Sequence, residues 1–350
     1  MTTTDTAPVP RTAPGGRAPR RVRRWPLAAL LPAALAALAA VCFASVMYGS
    51  KSLSATEVWD ALGGHGDAYA VTVVESRYPR TVLGLLAGAA LAVAGILMQA
   101  VARNPLAEPG LLGINTGAAA AVVTGTALGL AGDQGAVLLW ALPGAVLTGL
   151  AVHVIGTAGG TASPVRLVLA GAVLSAVLTA YIQALTLSRP QVFDSYRYWV
   201  VGALGGHSMA SALTVLPLVL GGLLIALALG RGLNALALGD DSAAGLGARP
   251  GRVKAVGLLT ATVLSAAATA AVGPIAFVGL AVPHLVRAVA GVDRRAQTVL
   301  AVLVGPTLLL AADVAGRLLL RPQELMVGVV TAFVGAPALL LAVRTMKAAS

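Results

Sequence analysis

Three residues stand where proton or ion chemistry would have to occur in so apolar a chain: Asp313, His153 and His284, each in or beside a long uncharged run. An ionisable group inside such a run is the usual equipment of an ion-coupled carrier. The spacing of the three builds no site, however. The four histidines (His65, His153, His207, His284) are far apart, none forms an H-E-x-x-H pair, and no His or acid stands at ligand spacing from His284; no metal site is expected. A G-x-x-x-x-G-K-[ST] phosphate loop is absent, because Lys51, Lys254 and Lys347 all lack its glycine context. There is no G-x-S-x-G nucleophile elbow either. The chain is therefore not expected to be an enzyme or to bind a cofactor. Asp313 reads as a structural residue, with Arg317 at i+4 on the same helix face as its partner.

The elements that carry these residues follow from hydropathy. Of 350 residues 58% are hydrophobic and only 11% charged, against about 25% charged in an average soluble domain. About 20 apolar residues span a bilayer core of about 30 Å. Uncharged windows of that order recur at Trp25–Ser50, Thr81–Ala102, Pro109–Gly132, Gln134–Val165, Leu167–Ser188, Tyr198–Gly230, Ala255–Val286, Ala296–Ala312 and Leu325–Val343. They do not alternate as barrel strands would. The fold class is all-α, a polytopic membrane protein. The window Ala255–Val286 is broken at Gly273–Pro274, where proline ends a helix, so it is split into one helix and a shorter one towards Arg287. That makes ten spans. The last window before Asp313 is short, so its helix is expected to include Asp313 or to lie obliquely.

Charge placement supports this count. Residues 1–24 hold six Arg and read as a disordered basic tail, followed by a single transmembrane domain over 25–350. A cleaved signal peptide is the alternative, but the first apolar run is long for an h-region and no small-x-small site clearly ends it. With the tail in the cytoplasm and ten alternating spans, 17 of the 24 Lys and Arg fall inside and seven outside, the positive-inside bias. Both termini are then cytoplasmic. The net charge of +11 is topology, with the tail free to touch anionic lipid, and calls for no nucleic acid. Cys42, the single cysteine, lies in the first span and reads as a packed thiol.

With so few charges, the interior is expected to be a neutral, small-residue path, as in "GLLAG" (Gly84–Gly88). Such a path suits a bulky solute driven by an external motor. The longest inside loop, Arg231–Lys254, holds "ALGDDSAAGLG", an amphipathic pattern that separates Leu238 and Leu246 from Asp240 and Asp241. On composition alone it is a solvated connector.

The stretch "RYPRTVLGLLAGAALAVAGILMQAVARNPLAEPGLLGINTGAAAAVV" (Arg77–Val123) resembles the signature of the FecCD family, the permeases of type II ABC importers for iron–siderophores, haem and cobalamin. The likeness continues, in family order, through "YWVVGALGG" (Tyr198–Gly206), "LALGDDSAAGLG" (Leu236–Gly247), "GPIAFVGLAVPHLVR" (Gly273–Arg287), "LLLAADVAGRLL" (Leu308–Leu319) and "ELMVGVVTAFVGAPALLL" (Glu324–Leu341). One departure is Met326, where the family usually has proline.

The resemblance implies a ten-helix, vitamin B12 permease-like protomer in a bacterial plasma membrane, paired with a second permease, either a copy or a paralogue. Two ATPase subunits, which bind the ATP, would dock inside, and an extracellular substrate-binding lipoprotein would deliver cargo outside. It makes Leu238, Gly239, Asp240, Asp241, Gly245, Leu246 and Gly247 a coupling helix, with Gly245 and Gly247 allowing close backbone approach. It makes Arg77, Arg80 and Arg317 docking residues for the acidic lobes of the binding protein; anchoring of helix ends at the headgroups is the other reading.

"NPLAEPGLLGIN" (Asn104–Asn115) becomes the inside turn between spans two and three. Pro105 fixes the turn, Pro109 lies early in the next helix, and Glu108 is either a capping charge at that helix N-terminus or a transport residue. Pro283, His284 and Arg287 read as architectural, with His284 and Arg287 placed at i and i+3 to share a partner. The function expected is ferric-siderophore import, with cobalamin or haem import as the runner-up and an ion-coupled secondary transporter as the alternative from another class.

Overall fold

The computed structural model describes residues 26–49, 52–158, 164–320 and 323–347; the basic tail expected at 1–24 lies outside them. The described residues form helices joined by short links and contain no strand. In chain order the α-helices are α1 (Leu27–Met47), α2 (Ala55–Leu62), α3 (Ala68–Ala102), α4 (Ile114–Ala127), α5 (Gln134–Thr157), α6 (Pro164–Ser188), α7 (Pro190–Trp199), α8 (Met209–Leu236), α9 (Asp240–Gly245), α10 (Pro250–Val272), α11 (Val278–Ala290), α12 (Arg294–Leu319) and α13 (Val327–Lys347). Seven of them (α1, α3, α5, α6, α8, α10 and α12) are long and apolar enough to cross a membrane. Val278–Ala290 (α11) and Val327–Pro337 at the start of α13 are shorter apolar helices, and α4, of 14 residues, lies in the window Pro109–Gly132 where the remaining span of the ten was expected.

α3 is the central post. It is 35 residues long, and 83% of its most apolar window is buried, whereas the corresponding window of α1 has no buried residue. At 1.5 Å per residue α3 is about 50 Å long, so it overshoots a 30 Å hydrocarbon layer by several turns. Those turns carry Arg77 and Arg80. Glycines bring neighbouring helices into backbone contact with α3. A Cβ at Gly88 would stand 2.6 Å from Pro306 of α12, and one at Gly95 only 1.8 Å from the Gly279 carbonyl oxygen of α11. Close approach of this kind is how small residues hold helices together where no water drives association.

The break at Gly273–Pro274 separates α10 from α11 as expected, and α12 contains Asp313. Three expectations need correction. Pro109 does not start a membrane helix but a single 3₁₀ turn, Pro109–Leu112, which ends at Gly113 (φ 71°) before α4 begins. The window Tyr198–Gly230 is not one helix from its start: α7 runs to Trp199 and α8 begins only at Met209, and another short helix, α2, precedes α3. The loop Arg231–Lys254 is also shorter than read, because α8 runs on to Leu236 and α10 starts at Pro250. The signal for α2 was legible: Ser54 and Glu57 form a capping box, each side chain bonding the other's backbone N–H.

Candidate functional site

The two ends of the bundle carry different chemistry. At the end bearing α2 and α7, an ion network joins four elements. Asp313 of α12, with no exposed surface, receives Arg80 Nε and Nη2 of α3 at 2.7–3.2 Å and Arg317 Nη2 at 2.8 Å. Arg80 Nη1 reaches Glu324 Oε2 at 2.7 Å, just ahead of α13. Arg317 also donates to the Ser45 and Tyr48 carbonyls at 2.8 and 2.6 Å, and Arg77 donates to those of Val46 and Met47 at 2.7 and 2.9 Å. Two guanidiniums therefore cap the C-terminal carbonyls of α1, which have no partner within their own helix. Around them lies a polar cavity of about 420 Å³, lined among others by Tyr69, Ser76, Arg77, Arg80, Arg317 and Glu324.

This corrects the surface expected of the three arginines. Arg317 is 1% exposed and Arg77 8%: Arg77 is turned onto α1, and Arg317 onto α1 and Asp313, rather than offered outward. The Asp313–Arg317 pair expected at i+4 is formed. Glu324, the first residue of "ELMVGVVTAFVGAPALLL", is the acid at the rim of the cavity. Nothing in its spacing announced a partner 244 residues away.

At the opposite end, α9 is held to the bundle by Asp240, which pairs with both Arg103, the residue ending α3, and Lys254 of α10. The Lys254 hydrogen bond, together with the two cations, holds the Asp240 carboxyl below its usual range. α9 buries its own Ala243 in the core of the bundle, while Leu238 and Leu246 are 65% and 68% exposed and Asp241 is exposed as well. A Cβ added at Gly245 or Gly247 meets nothing within 4 Å, so neither glycine is required by the chain's own packing. Gly239 (φ 106°) and Gly247 (φ 80°) are in addition turn residues at the two ends of the helix.

Between α3 and α4, Asn104 Oδ1 accepts from Leu106 N at 2.9 Å, and the Asn104 carbonyl accepts from Ala107 N, which makes the Asn104–Pro105 turn. Glu108 does cap a helix, but not the one that follows it: its Oε1 accepts Phe277 N, at the head of α11, at 3.0 Å. Asn115 accepts from Thr269 Oγ1 of α10. On α11, Pro283 is buried, and His284 Nδ1 bonds the Leu280 carbonyl of its own helix rather than sharing a partner with Arg287. His284 and Thr331 line an apolar cavity of about 560 Å³ between α11, α12 and α13. Among the described residues no three His, Cys, Asp or Glu side chains gather as a metal site would need.

Residues 37–345 match the model of the FecCD transport family. The chain belongs to that family. Among its relatives is the ferric enterobactin transport system permease protein FepD of Escherichia coli K12, 46% identical over 303 residues, covering 86% of this chain and 90% of the relative. The probable siderophore transport system permease protein YfiZ of Bacillus subtilis 168 is 37% identical with the same coverage of both. Among solved structures, an inward-facing metal-chelate type ABC transporter superposes with a TM-score of 0.78 at 25% identity, over 91% of this chain and 99% of that one. Members of the FecCD family are transport proteins, and the long apolar helices make this one a multi-pass membrane protein.

Proposed function

We propose that the chain is the membrane permease subunit of an ABC importer for ferric siderophores, powered by ATP that separate subunits hydrolyse. The observation that carries this reading is the 46% identity to a ferric enterobactin permease across nearly the whole chain. The end bearing α9 is the cytoplasmic one, with both termini on that side, and α9 is the coupling helix. Leu238 and Leu246, flanking Asp241, form an apolar pair suited to a groove on an ATPase. The open space over Gly245 and Gly247 admits that partner's surface. A second permease completes the central pathway, and two ATPases serve the pair.

The end bearing α2 receives a substrate-binding protein. There the docking role falls to the cavity rim, where Glu324 is one-third exposed and Arg80 14% exposed, more than to Arg77 or Arg317. An ion-coupled carrier is disfavoured because Asp313 is clamped between two guanidiniums, which stay charged across the physiological range.

Reconstitution tests the proposal. The permease pair with its ATPases and binding protein should take up ⁵⁵Fe-siderophore into proteoliposomes only with ATP. Uptake driven by a proton or sodium gradient without the ATPases would refute it, and uptake of cobalamin or haem instead would move the substrate class.

A further inference from the structure

The described residues include just two non-glycine positions in the left-handed region, Arg103 (φ 49°) and Phe277 (φ 70°). Non-glycine residues held there are strained and tend to mark sites where the strain is used. These two are linked. Arg103 ends α3, pairs with Asp240 of α9, and begins the eleven-residue link to α4; Glu108, in the middle of that link, accepts the N–H of Phe277. We infer that residues 103–113 form a strap carrying the motion of α9 to α11, with Asp240 as its handle and the Glu108 carboxylate as its latch. The inference rests on the reading of α9 as the helix that meets an ATPase.

The strap is stiff enough to transmit a displacement. Asn104 closes its first turn through both its side chain and its carbonyl, two prolines fix φ, and the 3₁₀ turn adds Leu111 N to the Glu108 carbonyl and Gly113 N to that of Gly110. At the far end α11 lies backbone to backbone on α3, Gly279 on Gly95, about two turns before α3 ends, and Pro109 of the strap packs beside it: a Cβ at Gly279 would stand 3.4 Å from Pro109 Cδ. Phe277 is also the point where α13 leans on α11: a Cβ at Gly335 would be 2.3 Å from the Phe277 side chain. A pull on Glu108 therefore acts on α11 and α13 together. A carboxylate suits the latch because it joins the N-terminus of α11, where N–H groups lack helical partners and negative charge is favoured. Glu108 is a positioning residue, acting on the pathway through α11.

The test uses the reconstituted importer in a Cys42→Ala background with Thr331→Cys on α13 as a labelling site. In wild type, maleimide labelling at position 331 should differ between the ATP-free and vanadate-trapped states. Glu108→Ala should still assemble and hydrolyse ATP, but lose that difference and fall at least tenfold in siderophore taken up per ATP. Glu108→Gln, which keeps the acceptor oxygen, should regain at least half of the wild-type ratio. Unchanged coupling and labelling in Glu108→Ala would overturn the strap, and so would a Gln variant as defective as Ala. Failure of the Ala variant to assemble would assign Glu108 to folding and overturn it equally. Gly245→Trp separates this failure from that of the underlying reading: if that variant binds its ATPase normally, α9 is not the docking helix, whatever Glu108 does.

Discussion

Replacing Asp313 by Asn should destabilise the protein sharply, because it removes the single acid shared by two guanidiniums. Asp313 has no exposed surface and Arg317 only 1%. Arg80 keeps its ion pair with Glu324 after the change, whereas Arg317 loses its ion pair and keeps its hydrogen bonds to Ser45 and the α1 carbonyls. Opposite charges about 4 Å apart attract by about 4 kcal/mol at an effective dielectric constant near 20, and orphaning one partner of a buried pair typically costs about 3–5 kcal/mol. The two figures agree, so a loss of about 3–5 kcal/mol is expected, appearing as a lower melting temperature of detergent-solubilised protein in fluorescence-detected size exclusion. A double-mutant cycle with Arg317→Gln isolates the pair, and its coupling energy should reach the upper part of the usual range of about 0.5–3 kcal/mol. If Asp313→Asn melts like wild type, or the coupling is below about 0.5 kcal/mol, the network does not hold this end of the bundle together. A steep pH dependence of uptake that the Asn change abolished would instead make Asp313 a titrating transport residue.

Gly245→Trp should leave the isolated permease as stable as wild type, since the side chain enters open space, but abolish co-purification with the ATPase and uptake; normal transport would return α9 to a solvated connector. Glu324→Lys places a third cation beside Arg80 and should weaken capture of the binding protein at low ionic strength. A compensating charge reversal on that partner should restore capture, and undiminished binding would refute the docking rim. Gly95→Ala drives a Cβ into the Gly279 carbonyl and should cost about 1–3 kcal/mol, read as a lower melting temperature. The Asp240 carboxyl lies below its usual range in the folded protein. Its contribution is therefore complete above the ordinary aspartate value of about 3.9 and lost only as pH falls below it. Coupled ATPase activity should be flat in this respect from about pH 5 to 8, and an Asp240-dependent step inside that window would contradict the clamp.

Much of this was legible in one dimension. Uncharged windows, one proline break and the bias of Lys and Arg are local properties of the chain, so the all-helical membrane fold, the division at Gly273–Pro274 and the inclusion of Asp313 in α12 could be read directly. The Asp313–Arg317 pair was equally open to inspection, because helical geometry alone brings i and i+4 together. What sequence spacing could not say is which distant groups satisfy a polar side chain once water is excluded. Arg77 and Arg317 looked like surface cations, yet α1 ends beside them with free carbonyls, and a guanidinium in so apolar a bundle is held where it finds acceptors. Glu108 looked like the cap of its own helix, but the 3₁₀ turn at Pro109 lifts the carboxylate away from α4 and delivers it to α11, 169 residues on. Local periodicity and charge placed the helices across the bilayer; only their packing chose the partners of the few charges between them, because each buried charge must find its counterpart wherever the fold brings one.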